Sequence, residues 1–278
     1  MAALAAFAIS AMAASSASAG TYYSCVEKKD SSYTTSTCKT LYTKKGKVEK
    51  KGKFEKVVYN PCVAKKKGKY ENATCTKIDP KAGKGKYEKK PIKFTAATGE
   101  AKLSTPAFGA NDVECTSSTT AGELTGAKTD TEVVTFHGCK FEGLPCETVG
   151  SGSETLVTNK LASKLIDNGE KGDSGLEPAL GEVWDQLTPE TPPYFIEFTC
   201  GGVVKLRTEG SISGLYTTAS LNVMSESSVL EFGEGKGEQD LYTEAEEGEG
   251  WVGPAPSLQL IEAPGATITT SAYAEVRS

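Results

Sequence analysis

A short unit bounded by two cysteines occurs twice near the start of the chain, and it constrains the fold more than any other feature. Cys25 is followed by Cys38 after twelve residues, and Cys62 by Cys75 after twelve more. A shift of 37 positions carries Cys25-Val26 onto Cys62-Val63, Lys28-Lys29 onto Lys65-Lys66, Tyr33 onto Tyr70, Thr37-Cys38 onto Thr74-Cys75 and Gly46 onto Gly83. Gly52-Lys53-Phe54-Glu55-Lys56 returns, with an altered gap, as Gly85-Lys86-Tyr87-Glu88-Lys89. Self-similarity at a fixed period reads as a tandem duplication of one small unit. So polar a unit has little core of its own, which predicts a disulfide inside each copy, Cys25–Cys38 and Cys62–Cys75. Each closed loop is worth about 3 kcal/mol in the chain-entropy account. β-prone pieces at 54–59 and 86–89, punctuated by Gly-Lys pairs and the Asn60-Pro61 turn, predict two small hairpins. Zinc is a poor alternative. Structural zinc sites want pairs about two to four residues apart, whereas the gaps here are 12, 23 and 12. No metal and no cofactor are expected.

Charge divides the chain in the same place. Residues 20–93 carry 21 lysines against seven acids, a formal charge of +14, and residues 94–278 carry 10 basic residues against 29 acids, a charge of -19. Such a field attracts polyanions to the first part. Lys28, Lys29, Lys65, Lys66 and Lys67, set beside Tyr33 and Tyr70, are the candidate polyanion-binding residues, by charge plus stacking. The competing reading makes the tyrosines a small internal core and leaves the lysines merely solvated.

Residues 1–19 read as a secretion signal: an alanine-rich apolar run ends in Ala17-Ser18-Ala19, which predicts cleavage before Gly20. The run is too short for the ~20 residues that span a bilayer. The expected location is therefore secreted or cell-surface, with no integral membrane segment after cleavage. Export makes the eight cysteines readable as four disulfides. In the second part, Cys139–Cys146 across a hairpin loop and Cys115–Cys200 between distant strands are the expected pairs.

After a linker at 91–99 the pattern becomes all-β. Residues 131–137 alternate as a strand, and 194–200 and 203–207 flank Gly201-Gly202 as a hairpin. Tyr194, Ile196, Phe198 and Cys200 would share the core face. Residues 257–261 and 267–276 read as closing strands, while 155–166 fits a strand or a helix. The expected organisation is a signal peptide at 1–19, tandem lysine-rich repeats at 20–93 and an acidic all-β domain at 94–278. That domain is read as an antiparallel β-sandwich or jelly-roll-like fold.

Val113-Glu114-Cys115, Phe136-His137-Gly138-Cys139, Pro145-Cys146, Phe198-Thr199-Cys200 and Asn222-Val223-Met224 together resemble secreted, disulfide-bonded β proteins of high-GC Gram-positive bacteria that have no assigned function. The likeness covers roughly residues 95–278. It implies export and a disulfide-bonded β domain. It supplies no activity and no catalytic residue.

Catalytic signals are thin. His137 is the only histidine and no G-x-S-x-G elbow surrounds a serine, so His137 reads as structural or surface. Glu197, between Ile196 and Phe198, would be a buried carboxylate only if both faces of its strand were covered. Residues 167–173 lack the ligand spacing of a calcium loop and read as a polar turn. The acidic run at 231–249 reads as a solvated hairpin. Trp251, in a Gly-Pro loop, is either a loop anchor or a sugar-stacking ring. The leading expectation is a non-enzymatic binding or cell-envelope protein whose basic repeats attract an anionic wall polymer or polysaccharide, with no nucleic-acid partner. The alternative is a secreted glycan hydrolase using paired carboxylates in a β-sandwich cleft.

Overall fold

A computed structural model describes residues 20–81, 84–105, 111–173, 175–233, 236–237, 239–248, 250–252 and 260–278. The signal expected at 1–19, the Gly83 match and part of the closing strand at 257–261 lie outside these residues. The basic segment holds β1 (Thr21–Ser31), β2 (Thr43–Lys44), β3 (Lys47–Val48), β4 (Gly52–Val58), β5 (Cys62–Gly68) and β6 (Gly85–Lys89). Then come β7 (Lys93–Thr98), β8 (Ala101–Thr105), β9 (Asn111–Cys115), β10 (Ser117–Leu124), β11 (Thr129–His137), β12 (Lys140–Phe141), β13 (Leu144–Glu147) and β14 (Thr155–Val157). The remainder is β15 (Leu161–Asp167), β16 (Val183–Pro189), β17 (Ile196–Cys200), β18 (Val204–Tyr216), β19 (Ser225–Phe232), β20 (Gln239–Glu247), β21 (Gly250–Val252) and β22 (Leu260–Arg277). Among the described residues the only helical piece is a 3-10 turn, Thr218–Ser220.

The protein is all-β and antiparallel, as the turn-rich, β-branched sequence predicts. Its pairings close on themselves. β7 pairs with β10 through Thr95↔Ala121, β10 with β11 through Ala121↔Val133, and β11 with β15 through Thr131↔Ala162. β15 continues to β16 through Ser163↔Leu187, and β16 to β18 through Asp185↔Gly214. Tyr216↔Leu230 joins β18 to β19, Ser228↔Ile268 joins β19 to β22, and Ile268↔Ala96 returns to β7. The result is a ring of eight antiparallel strands in chain order. Closure leaves no open edge in the ring, which removes the exposed ladder that invites aggregation.

Two ring strands are long. β18 has 13 residues and β22 has 18, and their far ends carry a second array. There β22 pairs with β8, β8 with β9, β9 with β12, β12 with β13, β13 with β17, and β17 with β18. β20 lies on the other edge of β18 and pairs with β21.

Alternation explains the interior. β7 buries Phe94 and Ala96 and exposes Lys93, Thr95 and Ala97. Opposite Phe94 on β10 stands Gly122, where a Cβ would meet the Phe94 ring at 2.4 Å and the Thr131 carbonyl at 2.6 Å. A larger residue there displaces the ring. Two apolar clusters fill the molecule. One gathers Phe141, Phe195, Phe198, Leu206 and Ile212 around the second-part cysteines. The other gathers Tyr22, Tyr59, Phe94, Leu165, Tyr216 and Ile268. Full burial of each such side chain contributes roughly 1.5–3 kcal/mol.

The basic segment forms two hairpins. β1 pairs with β4, and β5 with β6; the first strands carry the same features 37 residues apart and the second strands 33 apart. Cys25–Cys38 and Cys62–Cys75 are bonded. The register slips between Glu27 and Ser31 and again between Ala64 and Gly68. Asp30 and Lys67 take positive φ, as do Cys38 and Cys75. Gly52 and Gly85 each press on a tyrosine backbone, where a Cβ would come within 2.1 Å of the Tyr33 carbonyl and 2.6 Å of the Tyr70 carbonyl.

The hydrogen bonding crosses the boundary expected at residues 93 and 94. Residues 21–24 of β1 pair with 274–277 of β22. Tyr22 and Tyr59, two rings of the basic segment, are buried in the barrel. The Tyr59 hydroxyl donates to the Leu124 carbonyl at 3.0 Å and accepts from the Ile92 N–H at 2.9 Å. A hairpin too polar to bury its own rings lends them to a larger core.

The expected pairs Cys139–Cys146 and Cys115–Cys200 are corrected: the bonds are Cys115–Cys139 and Cys146–Cys200. Register decides this. Lys140↔Glu114 puts Cys139 beside Cys115, and Cys146 faces Cys200 directly. Cys139 and Cys146 are neighbours across the β12–β13 turn, where the Cys146 N–H donates to the Cys139 carbonyl at 2.9 Å. Each sulfur nevertheless bonds outward to the next strand along.

Candidate functional site

Two places gather chemistry: the outer faces of the hairpins and the inside of the barrel. On the hairpins, the five residues 63–67 of β5 are all exposed, Lys65, Lys66 and Lys67 among them. Lys28 and Lys29 on β1 are exposed in the same way. Lys28 pairs with Glu55 at 2.5 Å, and Lys65 pairs with Glu88 at the corresponding place. Among the described residues no carboxylate pairs with Lys29, Lys66 or Lys67. Tyr33 and Tyr70 are half-buried, each bridged to two neighbouring segments, and the Lys69 ammonium stands 5.8 Å from the Tyr70 ring centre.

Other expected residues sit in ordinary surroundings. His137 ends β11 half-buried, its Nε2 3.4 Å from the Thr119 hydroxyl. Glu197 is partly exposed and pairs with Lys205 at 3.1 Å. Asp167 and Glu170 form a turn and both reach Lys128, at 3.4 and 3.1 Å. Trp251 is half-buried, with Arg207 4.4 Å and Lys205 5.1 Å from its ring centre. Those cations occupy the indole, which anchors the short β21 strand to β18.

Within the ring the sequence reading missed a cluster of acids. Asp130 and Glu132 on β11 alternate with Val134 and Phe136 on the inward side, and Asp185 on β16 joins them. Tyr22 donates to Asp130 Oδ2 at 2.9 Å and lies 3.4 Å from the Tyr216 hydroxyl. Ser163, opposite Asp130 across the β11–β15 ladder, donates its one proton to Asp185 Oδ1 at 2.6 Å. Asp130 Oδ1 is buried with no hydrogen-bond partner. Among the described residues no group of three acids, histidines or cysteines has metal-holding geometry.

Burial dominates the electrostatics. It pushes the Asp130 carboxyl up to about 6, against the pull of its hydrogen bonds. It raises Glu132 and Asp185 well above the usual carboxylate range, with Asp130 adding repulsion to both. Burial likewise raises the phenols of Tyr22 and Tyr216. Three carboxyls in one apolar enclosure cannot all ionise, so protons are retained here near neutrality. The sequence did carry a signal, two acids on the same face of β11 as Val134 and Phe136. Reading it required knowing which face was inside.

Above the acids lies an apolar cavity of about 110 Å³, lined by Phe136, Leu156, Phe195, Phe198, Phe232 and Ile268 among others. A polar pocket of about 40 Å³ holds Tyr22, Asp130, Asp185 and Tyr216. Glu132 lines both.

Fold and interior define a disulfide-bonded, closed antiparallel β protein with exposed lysine hairpins. No protein-family model matches the chain, and no curated protein or solved structure matches it either. Its four disulfides point to an extracellular or otherwise oxidising environment. Among the described residues no helix is long and apolar enough to cross a membrane.

Proposed function

We propose that the protein is an exported, non-enzymatic binding protein of the cell envelope, held on an anionic wall polymer or polysaccharide by its lysine hairpins. The observation that carries this reading is the exposed run at 63–67 of β5 together with its counterpart on β1. Lys29, Lys66 and Lys67 point cationic charge at solvent without a described carboxylate to offset it. Exposed ammonium groups on flexible stems suit a polymer of repeating charge, because no single geometry is demanded. Lys28 and Lys65 keep intra-hairpin glutamates that fix the strands' outer faces. Tyr33 and Tyr70 are half-buried, which leaves part of each side chain for a polymer lying along the hairpin.

Retention of the full chain on purified anionic wall polysaccharide tests this. Binding is expected at low salt and lost at high salt, because exposed charges separated by more than ~10 Å are screened at 0.1 M. The triple variant K29E/K66E/K67E should lose retention at low salt too. Retention that ignores both salt and these substitutions would overturn the reading.

A further inference from the structure

We infer that the inside of the barrel is a binding site for a small primary amine with a short apolar tail. This goes beyond wall attachment and is independent of it, because the three acids lie on ring strands, and Tyr22, which reaches in from β1, is buried away from the exposed lysines. Eight-stranded barrels have an interior just wide enough to be filled by side chains or to hold one small ligand. Here the filling is incomplete, and the cavity measures about 110 Å³. A cavity of ~150 Å³ takes the six carbons of benzene, so a tail of roughly four or five carbons fits this smaller one.

The head group follows from what the polar end lacks. Asp130, Glu132 and Asp185 share one enclosure with Glu275, which is taken by Lys56 and Arg277, and among the described residues no lysine or arginine lines it. The hydroxyls that face it are Tyr22, Tyr216 and several serines. Asp130 is 2% exposed and its Oδ1 accepts from nothing. A buried acceptor without a donor costs about 1–3 kcal/mol. An amine takes up a proton that the carboxyls retain and, as ammonium, supplies three donors and a positive charge, whereas an alcohol supplies one donor and cannot take that proton, and a carboxylate adds repulsion. Glu132, shared by the apolar and polar cavities, is where tail and head would meet.

Calorimetric titration of the full chain with n-pentylamine, pentan-1-ol and pentanoate distinguishes these cases. The amine is expected to bind saturably and raise the melting temperature. It should bind at least tenfold tighter than the alcohol, and pentanoate should not bind. Glu132→Gln should weaken the amine about tenfold, corresponding to ~1.4 kcal/mol, and leave the alcohol little changed. Ala266→Leu, which fills the cavity from β22 without touching the acids, should abolish binding of both. The inference is overturned if the unaltered chain shows no saturable amine binding, or if amine and alcohol bind equally. Amine binding that survives Ala266→Leu would place it elsewhere and overturn it as well.

Discussion

At the residue scale, the carboxyls inside the barrel make an unusual demand on pH. Asp130 titrates near 4 when unfolded and at about 6 when folded. Its folded pKa is raised, so the folded state binds the proton more tightly. The protein is then most stable, as far as this group is concerned, below about pH 4, and it loses that contribution as pH rises to about 6. The loss is on the order of 3 kcal/mol, and Glu132 and Asp185 push in the same direction. Surface carboxylates in ion pairs act oppositely, so the informative quantity is a difference between chains. Asp130→Asn should gain stability relative to the unaltered chain between pH 4 and pH 7, read from urea unfolding at each pH. A constant difference across that range would mean Asp130 titrates normally. Tyr59 makes a second residue-scale case. Its hydroxyl serves both Leu124 and Ile92, so Tyr59→Phe orphans two backbone groups and should cost about 2–3 kcal/mol.

At the scale of elements, the two hairpins look alike and are held differently. β1 is paired on both sides, with β4 and with β22. β5 and β6 form a two-stranded sheet of their own, and such a pair is marginal in water without further support. Cys62–Cys75 therefore matters more to its hairpin than Cys25–Cys38 does. Replacing Cys62 and Cys75 with alanine should open β5–β6 locally, seen as fast amide exchange over 62–89, while the ring stays protected. Equivalent replacement of Cys25 and Cys38 should leave residues 21–24 of β1 protected by β22. These hairpin bonds were legible because each closes inside one sequence unit. The β17–β18 hairpin was legible for the same reason: Gly201-Gly202 and its flanking alternation are local. The bonds of Cys115, Cys139, Cys146 and Cys200 were not, because they depend on which strands lie beside β12 and β13, and no local pattern encodes that. Residues 155–166 resolve as β14 and β15, since their apolar positions Leu156, Leu161 and Leu165 face a ring that only distant strands complete.

At the scale of the whole molecule, the cationic and anionic parts meet along the end of β22 as well as through Tyr22 and Tyr59. β1 and β4 lie against the end of β22, where the Arg277 guanidinium stacks 4.3 Å from the Tyr23 ring centre. Glu275 is 2% exposed and is held by Lys56 at 2.5 Å and by Arg277 at 3.1 Å. A carboxylate so enclosed cannot lose a cation cheaply, because the remaining charge is left in a poor solvent. Lys56→Met should therefore destabilise the chain by about 3 kcal/mol even with Arg277 in place. Restoring balance with an apolar partner, in Lys56→Met/Glu275→Leu, should recover most of that loss. The recovery is the sharper test, since a merely structural lysine stem would show additive losses instead of coupling. Unfolding in urea at low and high salt completes the comparison. Buried pairs are screened little, so the coupling should persist in salt that abolishes retention on an anionic polymer. Coupling that vanishes with salt would mean that Glu275 is solvated, leaving the β1–β22 pairing and the buried Tyr22 and Tyr59 to hold the hairpin on the ring.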